Sequence, residues 1–339
     1  MVYTILLKFR RNANDQEEVT VNTQVNIAIV TDSAASIPEA LRRQYRIEVV
    51  PIWVNMDKVS YRSGIDMQPA SFFAQLRANP EMQVSTSVPA IPVFLEAYRK
   101  QAQWASGIVA VHVAGKQSGT CNLAEVAGRE SPVPVVVVDS QTTAMAQGFV
   151  ALEAARAAAE GATLEEVVAR ARAVVPNAGV VALLETVNYA FQGGRLSSAA
   201  STVGSLLKIS PLVRVQNNRV SLVGQARRRS KGIAAVIEKV VDEVEDNPVH
   251  LAVHYAEDET EGVYVLEELK KLLHCVETYL LHVPTELGVH TGPGALGVSY
   301  YIERQASGLS QQLEKLSDYA RGAKEAILSR VPWSQKDDA

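Results

Sequence analysis

Cysteine is scarce in this sequence of 339 residues, because only Cys121 and Cys275 occur. They lie too far apart to give the paired spacing of a zinc site, and they are too few for a secreted disulfide scaffold. We therefore expect a cytoplasmic protein, in a reducing environment, that binds no metal.

Long apolar runs are also missing. No stretch approaches the roughly 18 consecutive apolar residues that span a membrane. The apolar start of the chain has no positively charged residue before it and is broken at Lys8, unlike the apolar core of a signal peptide. A soluble protein is the expectation that follows.

Neither sign of charge dominates, and aromatic residues are few. The net charge is −4 and charged residues make up 21% of the chain, which argues against disorder and against a basic surface for nucleic acid. Aromatic residues account for 6%, so we expect any apolar cavity to have aliphatic walls. The predicted partner is a small molecule or another protein, and no nucleic acid.

Short apolar segments alternate with helical patterns through the first half of the chain. Ile27–Val30, Gly107–Val113 and Val135–Val138 are predicted to be buried strands, and each leads into a polar loop and then a helical pattern. Parallel strands joined by helices build layered α/β domains. The sequence therefore predicts an N-terminal three-layer α/β domain with a mostly parallel sheet, over residues 26–177.

The second half has a different pattern. Leu212–Val215 and Val220–Val223 flank the turn-forming pair Asn217-Asn218, which favours an antiparallel hairpin. We assign residues 178–306 to a C-terminal α+β domain with a mixed or antiparallel sheet.

The prediction also covers both ends of the chain and two local segments. Residues 1–25 and 307–339 are expected to be extensions, and the second of them carries apolar residues at helical spacing. Ser36 and Glu39 have the spacing of a helix capping box. Leu287–Val289 is predicted to be a strand that leads into a glycine-rich loop.

Hydroxyl side chains cluster where predicted strands give way to helices. Thr86 lies in one such junction, and Ser118 and Thr120 flank Gly119 in another. A helix start offers free backbone N–H groups, which together with short hydroxyls suit a carboxylate or a phosphate. Two interpretations of the first junction remain open: Thr86 contacts a ligand, or it ends a strand while Ser87 caps the next helix.

Asp32 and Ser33 directly follow the first predicted strand of the α/β half. Ligands of open α/β sheets bind beyond the carboxyl ends of the strands. We therefore expect both residues to lie near the site and to orient it.

Six short motifs occur in the order and approximate spacing found in the DegV family. They are Ile29–Ser33, Thr86–Pro89, Ser118–Thr120, Val138–Ser140, Gly193–Ser197 and His290–Gly297. On these motifs residues 26–306 resemble DegV proteins, which are bacterial fatty-acid-binding proteins. Some members of that family are acyl-carrying subunits of a fatty acid kinase.

The resemblance implies a ligand and a set of contacts. A long-chain fatty acid such as palmitate would lie between the two domains, with its carboxylate held by Thr86 and Ser118 and with His290 close by. Arg195 would lie near the carboxylate and near the surface where a kinase subunit docks. The implied protein is a carrier without catalysis or cofactor, which serves lipid transport, fatty acid metabolism or presentation of the acid to a kinase.

Elementary energetics agrees with such a ligand. Two hydroxyls can replace water at a buried carboxylate without bringing a second charge. Most of the affinity has to come from the tail, because each buried CH₂ contributes about 0.8 kcal/mol and about fifteen of them contribute on the order of 10 kcal/mol before ordering costs. We therefore expect a long apolar tunnel where the domains meet.

Two other functions fit parts of the same residue set. Ser118, His290 and Asp32 are the residue types of a serine hydrolase triad, although Lys116 stands where a nucleophile elbow has its first glycine. Gly292–Gly297 matches the G-x-G-x-x-G pattern of nucleotide-binding loops, but the residues after it favour a strand.

A basic run that begins at Arg227 and includes Lys231 follows the predicted hairpin. It is either a solvated helix end or a surface that touches anionic lipid transiently while ligand is exchanged. His112, inside an apolar strand, is predicted to be a core residue rather than a ligand.

Overall fold

The residues that the computed structural model describes are 3–8, 18–23, 26–196 and 209–304. Within them the strands are, in chain order, β1 (Tyr3–Lys8), β2 (Glu18–Thr23), β3 (Ile27–Asp32), β4 (Glu48–Val50), β5 (Trp53–Met56), β6 (Val59–Arg62), β7 (Val84–Ser87), β8 (Gly107–His112), β9 (Val135–Asp139), β10 (Ala178–Leu183), β11 (Ser210–Gln216), β12 (Arg219–Ala226), β13 (Val249–Tyr255), β14 (Cys275–His282) and β15 (Leu296–Ile302). The α-helices are α1 (Glu39–Gln44), α2 (Pro69–Ala78), α3 (Ile91–Gln101), α4 (Thr120–Gly128), α5 (Ala144–Ala159), α6 (Leu164–Val174), α7 (Asn188–Gln192), α8 (Arg229–Val244), α9 (Glu259–Leu272) and α10 (Thr285–Thr291). The predicted tail helix, over 307–339, lies outside the described residues.

The first half of the chain forms a parallel sheet, as the alternation of strands and helices predicts. Its strands lie in the order β4-β3-β8-β9, and each neighbouring pair is parallel. On one face α3 and α4 pack against Ala28, Val30 and Ile108, and on the other face α5 and α6 pack against Ile29 and Val109. Because helices cover both faces, the arrangement has the three layers that the sequence predicts.

The second half forms a six-stranded mixed sheet, which the fold prediction also anticipates. The strand order is β12-β11-β10-β15-β13-β14, and within this sheet β13 and β14 are the parallel pair. The predicted hairpin joins β11 to β12, and its turn residues Asn217 and Asn218 have φ angles of 52° and 61°, as a type I′ turn requires. Helices α8 and α9 cover one face and bury Leu183, Leu251 and Val298.

Helix α5 lies between the two sheets. Thirteen of its 16 residues are buried, so it is a core helix rather than an amphipathic surface helix. It shares one apolar cluster with Ile29 of the parallel sheet and with Val180 and Ala252 of the mixed sheet. A Cβ atom at Gly148 would overlap the carbonyl oxygen of Ala35, so the glycine permits α5 to pack closely against the short turn that follows β3. The predicted domain boundary at 177/178 coincides with the change of sheet and stays a prediction.

A small antiparallel sheet, in the order β6-β5-β7, carries Thr86. Strand β5 pairs with β7 so that Val54 lies opposite Thr86. Val54 packs in one cluster with Phe72 of α2 and Val289 of α10. This packing places Thr86 beside α10.

Two local predictions are wrong. Ser36 does not cap a helix with Glu39, because it has a φ of 54° and ends a short 3₁₀ turn, while Pro38 precedes α1. Leu287–Val289 belongs to α10 rather than to a strand. That helix has seven residues, which is too short for its periodicity to show in the sequence.

Candidate functional site

A cavity lies between the carboxyl end of the parallel sheet, the small antiparallel sheet and the mixed sheet. The cavity and its open mouth together contain about 1230 Å³ of space that no atom occupies. The centre of a water molecule can enter about 170 Å³ of this space. Most of the space therefore lies within one atomic radius of the wall. The cavity is a narrow cleft, and an extended chain fits it better than a broad ring system.

The walls of the cavity are mainly aliphatic. On the mixed sheet they are formed by the face opposite α8 and α9, which contributes Val180, Ala182, Val213, Val215 and Val220. Ala34, Ile52 and Val113 line the cavity from the first half of the chain. None of the described lining residues is Phe, Tyr or Trp, in line with the low aromatic content of the sequence.

Thr86 and His290 form a pair in the wall of this cavity. Oγ1 of Thr86 lies 3.1 Å from Nε2 of His290, and both residues line the cavity. Burial, together with the positive charge of Arg195, lowers the pKa of His290 to about 4. The imidazole is therefore neutral near pH 7. Helix α3 begins after Ala90 without a side-chain cap, so the alternative in which Ser87 caps it is wrong.

The hydrogen-bond partners of its two ring nitrogens indicate the tautomer of His290. Its Nδ1 atom is buried and has no hydrogen-bond partner among the described residues. An unpaired ring nitrogen that accepts is less costly than a buried unpaired N–H, which is rare. We therefore place the proton on Nε2, which donates to Oγ1 of Thr86 and leaves the Thr86 hydroxyl hydrogen free to point into the cavity.

Ser118 lies in the same cavity wall, at the start of α4. Its Oγ atom is 2.7 Å from Oγ1 of Thr120 and accepts a hydrogen bond from the backbone N–H of Thr120 at 3.4 Å. Gly119 is the residue before the helix and stands next to Val88. The structure thus brings Thr86, Ser118 and His290 to one cavity. Thr120 does not contribute to this set directly but is hydrogen-bonded to Ser118.

Arg195 is the one described cation that lines the cavity. Its Nε atom donates to the carbonyl oxygen of Gln117 at 3.2 Å, and Nη1 donates to the carbonyl oxygen of Gly193 at 2.6 Å. Burial lowers its pKa from the ordinary arginine value. These bonds fix a positive charge near the polar part of the wall, where it favours a bound anion.

Asp32 and Ser33 support the structure around the cavity rather than line it. Asp32 is fully buried, lies 3.0 Å from Nδ1 of His112, and accepts a hydrogen bond from the backbone N–H of Val113 at 2.9 Å. Oγ of Ser33 accepts from the backbone N–H of Ile52 at 3.0 Å. His112 is therefore a core residue, as predicted.

The serine hydrolase alternative needs Asp32 to orient His290 and His290 to face Ser118. In the structure Asp32 pairs with His112, and His290 pairs through Nε2 with Thr86. The triad is not assembled.

The nucleotide alternative fails for a similar local reason. Gly292 ends α10, and the next described element is the strand β15 rather than a helix. A G-x-G-x-x-G loop needs the N-terminus of a helix after it to bind phosphate. Within the described residues no cluster of His, Cys, Asp or Glu could hold a metal ion.

The structure also adds cavity residues that the sequence analysis does not single out. Glu286, one helical turn before His290, is 2% exposed and lines the cavity. His254 lines it too, with Nε2 3.0 Å from Oγ of Ser299, and burial lowers its pKa to about 4. A polar residue on a predicted strand or loop gives no sign of facing a cavity, so only the spacing of Glu286 and His290, four residues apart, could have linked them.

Arg227 is exposed and is not among the residues that line the cavity. Two residues later, Arg229 pairs with Glu261 of α9. None of the helices in the described part of the chain has the length and apolar character needed to cross a bilayer.

Comparison with known proteins gives the same family over nearly the whole described chain. The model of the DegV family, described as an uncharacterised protein family, matches residues 26–303. A DegV domain-containing protein of Streptomyces coelicolor is 34% identical over 275 residues, which cover 80% of this chain and 97% of the relative.

Two solved structures are similar to this chain in fold as well as in sequence. A DegV family protein of Thermus thermophilus, described by its fatty acid binding, has a TM-score of 0.76 at 28% identity, covering 82% of this chain and 100% of the other. DegV of Bacillus subtilis, described as a fatty acid binding protein, has a TM-score of 0.74 at 28% identity, with the same coverage of 82% and 100%.

Proposed function

The chain belongs to the DegV family, and from this premise we propose that it binds a long-chain fatty acid, such as palmitate, in the narrow cavity. The observation that carries the proposal is an aliphatic cleft whose wall brings Thr86, Ser118 and His290 together. The description of the Thermus thermophilus and Bacillus subtilis relatives as fatty-acid-binding proteins supports the ligand class.

The carboxylate is held by neutral donors and one fixed positive charge. Thr86 donates the hydroxyl hydrogen that its bond from His290 leaves free. Ser118, whose oxygen accepts from the Thr120 N–H, donates its own hydroxyl hydrogen to the second carboxylate oxygen. Arg195 adds long-range attraction without a direct ion pair. Hydrogen bonds to a charged group contribute about 1.5 to 3 kcal/mol each.

The tail supplies the larger part of the binding free energy. Fifteen CH₂ or CH₃ groups buried in the aliphatic cleft contribute on the order of 10 kcal/mol before ordering costs. The mixed sheet and the segments that follow the strands of the parallel sheet both contact it. The ligand therefore lies between the two predicted domains, 26–177 and 178–306.

The biological role that we propose is that of a cytoplasmic carrier with no catalysis of its own. It serves lipid transport, fatty acid metabolism or presentation of the acid to a fatty acid kinase. Arg195 lines the cavity, and in this proposal it lies near the carboxylate and near the surface where a kinase subunit docks. The exposed Arg227 belongs to a basic surface that contacts anionic lipid transiently during loading.

Mass spectrometry of organic extracts from the purified protein tests the ligand class. We expect one fatty acid per chain, and after lipid removal we expect added palmitate to rebind with the same stoichiometry. A protein that yields a nucleotide, or that yields no lipid and does not bind added palmitate, would refute the proposal.

A further inference from the structure

The tip of the β11–β12 hairpin reaches the loop that carries Ser118. This loop joins β8 to α4, whereas the hairpin belongs to the mixed sheet and lines the cavity with Val215 and Val220. At the tip, Oδ1 of Asn218 accepts a hydrogen bond from the backbone N–H of Lys116 at 3.2 Å. The strands of the hairpin therefore border the space proposed for the acyl tail, and its turn contacts the loop proposed to bind the head group.

Asn218 supplies a hydrogen-bond acceptor that the loop does not provide for itself. The backbone N–H groups of Gln117 and Ser118 both donate to the carbonyl oxygen of Ala114, which closes a tight turn. The N–H of Lys116 donates to no atom of the loop, and among the described residues its acceptor is Oδ1 of Asn218. Backbone N–H groups are strong donors that need a partner. The conformation of the loop therefore depends on a side chain from the other half of the chain.

Asp139, at the end of β9, orients the side chain of Asn218. Its Oδ2 atom accepts a hydrogen bond from Nδ2 of Asn218 at 2.7 Å, and its Oδ1 atom accepts from the backbone N–H groups of Gly115 at 3.0 Å and Gln141 at 2.8 Å. A Cβ atom at Gly115 would come within 2.9 Å of Oδ2 of Asp139, so the loop needs glycine for this close approach. Both ends of the Asn218 amide are thus bound, and it joins the hairpin to two loops at the carboxyl end of the parallel sheet.

We propose that Asn218 is a positioning residue for carboxylate binding, which holds the loop so that the hydroxyl of Ser118 faces the head group. This inference rests on the proposed fatty acid function and adds a residue that is not among those that line the cavity. Ser118 follows Lys116 by two residues, so a displacement of the Lys116 N–H also displaces the Ser118 hydroxyl. A hydrogen bond weakens steeply when its donor leaves the favourable angle, and a small shift of the loop is therefore enough to weaken binding.

Glycine substitutions at the two turn positions test this assignment. Asn218→Gly removes both side-chain bonds, but glycine suits the φ of 61°, and the bond from the backbone N–H of residue 218 to the carbonyl oxygen of Gln141 is kept. We expect the Kd of delipidated protein for palmitate to rise about two- to tenfold, the effect of one neutral hydrogen bond. Asn217→Gly is the matched control and should leave the Kd unchanged, because Asn217 has a similar φ of 52° and its side chain bonds to no described residue.

A double-variant cycle shows whether Asn218 acts through Ser118. Two residues that act as one unit have non-additive effects. Once Ser118→Ala has removed the hydroxyl, Asn218→Gly should therefore weaken palmitate binding no further. We expect Ser118→Ala and the double variant to have Kd values that agree within about twofold, the usual error of such a cycle.

Exchange of the two side chains provides a rescue. Asn218→Asp brings a second carboxylate next to Asp139 and removes the donor between them, so it should weaken palmitate binding at least as much as Asn218→Gly. Combined with Asp139→Asn, it restores one carboxylate and one amide, which can again pair with each other and accept from the N–H groups of Lys116 and Gly115. The exchanged pair should bind palmitate within about twofold of the wild type.

The outcomes distinguish this inference from the proposed function. A wild-type Kd in Asn218→Gly, or a loss that persists in full in the Ser118→Ala background, would overturn the inference while fatty acid binding stands. If the wild type does not bind palmitate, the proposed function fails and the role of Asn218 in carboxylate binding fails with it. Thermal unfolding checks that each variant folds, and should Asn218→Gly not fold, the loss in Asn218→Asp and its recovery in the exchanged pair decide the question.

Discussion

Single hydroxyl groups decide how the carboxylate is held. Thr86→Val removes the donor that His290 orients, and Ser118→Ala removes the donor at the start of α4. A hydrogen bond to a charged group contributes about 1.5 to 3 kcal/mol, so each change should raise the Kd for palmitate roughly 10- to 100-fold. Isothermal titration of delipidated protein measures this change.

A control for these variants lies on the same strand as Thr86. Ser85 is exposed, is not among the cavity-lining residues, and accepts a hydrogen bond from Asn55 at 3.2 Å. Ser85→Ala should therefore leave the Kd for palmitate unchanged. Unchanged affinity in Thr86→Val and Ser118→Ala as well would show that the head group binds elsewhere.

Buried histidines give the stability of the protein a specific pH dependence. An unfolded histidine titrates near pH 6.5, whereas His290 and His254 have pKa values of about 4 in the folded chain. Between these pH values the unfolded state binds more protons. The free energy of unfolding therefore falls as pH falls from 6.5 to 4, by roughly 1.4 kcal/mol per pH unit for each histidine, and is unaffected by them above pH 7.

Urea unfolding of the wild type and of His290→Gln at pH 7, 6 and 5 measures this dependence. Between pH 6 and pH 5 the free energy of unfolding should fall less steeply in the variant than in the wild type. The difference in slope should correspond to about one bound proton. Parallel curves for the two proteins across this interval would contradict a neutral, buried His290.

At the scale of residues, the sequence shows which side chains have the chemistry to bind a ligand, but it does not show which side chains are buried or what they contact. Thr86, Ser118 and His290 stand in recognisable motifs, and the structure brings all three to one cavity. Glu286 has no motif, because its environment depends on Ser63, which is 223 residues away in the chain. For the same reason the pairing of Asp32 with His112, 80 residues apart, could not be foreseen.

At the scale of elements, the loop after α7 positions α10. A Cβ atom at Gly193 would overlap the imidazole ring of His290. Gly193→Ala should therefore push the ring away from Thr86 and weaken palmitate binding roughly tenfold, as the loss of one oriented hydrogen bond would do. Binding titrations with the delipidated variant measure the effect.

Gly194 offers a matched control one residue later. A Cβ atom there meets no described atom within 4 Å, although its φ of 71° is unfavourable for alanine. Gly194→Ala should cost about 1 kcal/mol of stability and leave palmitate affinity unchanged. Equal affinity losses in both alanine variants would indicate a general disturbance of the loop rather than contact with His290.

Elements were predictable where their signal is long and local. The continuous apolar runs of β3 and β8 predict these two strands, and the Asn217-Asn218 pair predicts the hairpin. Helix α10 was missed because its seven residues include an apolar stretch that suits a strand equally well. Its helical state depends on packing against α2, in the cluster that Phe72 shares with Val289, which a single segment of sequence does not contain.

At the scale of the whole molecule, the cavity walls come from the mixed sheet and from the segments that follow the strands of the parallel sheet, so a bound acyl chain links the two halves. A ligand that binds only the folded state stabilises it by RT ln(1 + [L]/Kd), which is about 4 kcal/mol at 1,000 times Kd. Palmitate should therefore raise the unfolding temperature of the delipidated protein. Because Val113, which directly follows β8 of the parallel sheet, and Val213 of the mixed sheet both line the cavity, the unfolding signals of both halves should shift together.

Chain length separates burial of the tail from recognition of the carboxylate. Octanoate has the same head group but eight fewer CH₂ groups than palmitate, and each buried CH₂ contributes about 0.8 kcal/mol, so about 6 kcal/mol of burial is missing. We expect octanoate at the same concentration to bind at least 1,000-fold more weakly, a factor of about 4 kcal/mol, and to leave the unfolding temperature unchanged. Differential scanning calorimetry with the two acids measures this. If octanoate matched palmitate, the aliphatic cleft would contribute nothing to binding, and Thr86, Ser118 and Arg195 alone would hold the ligand.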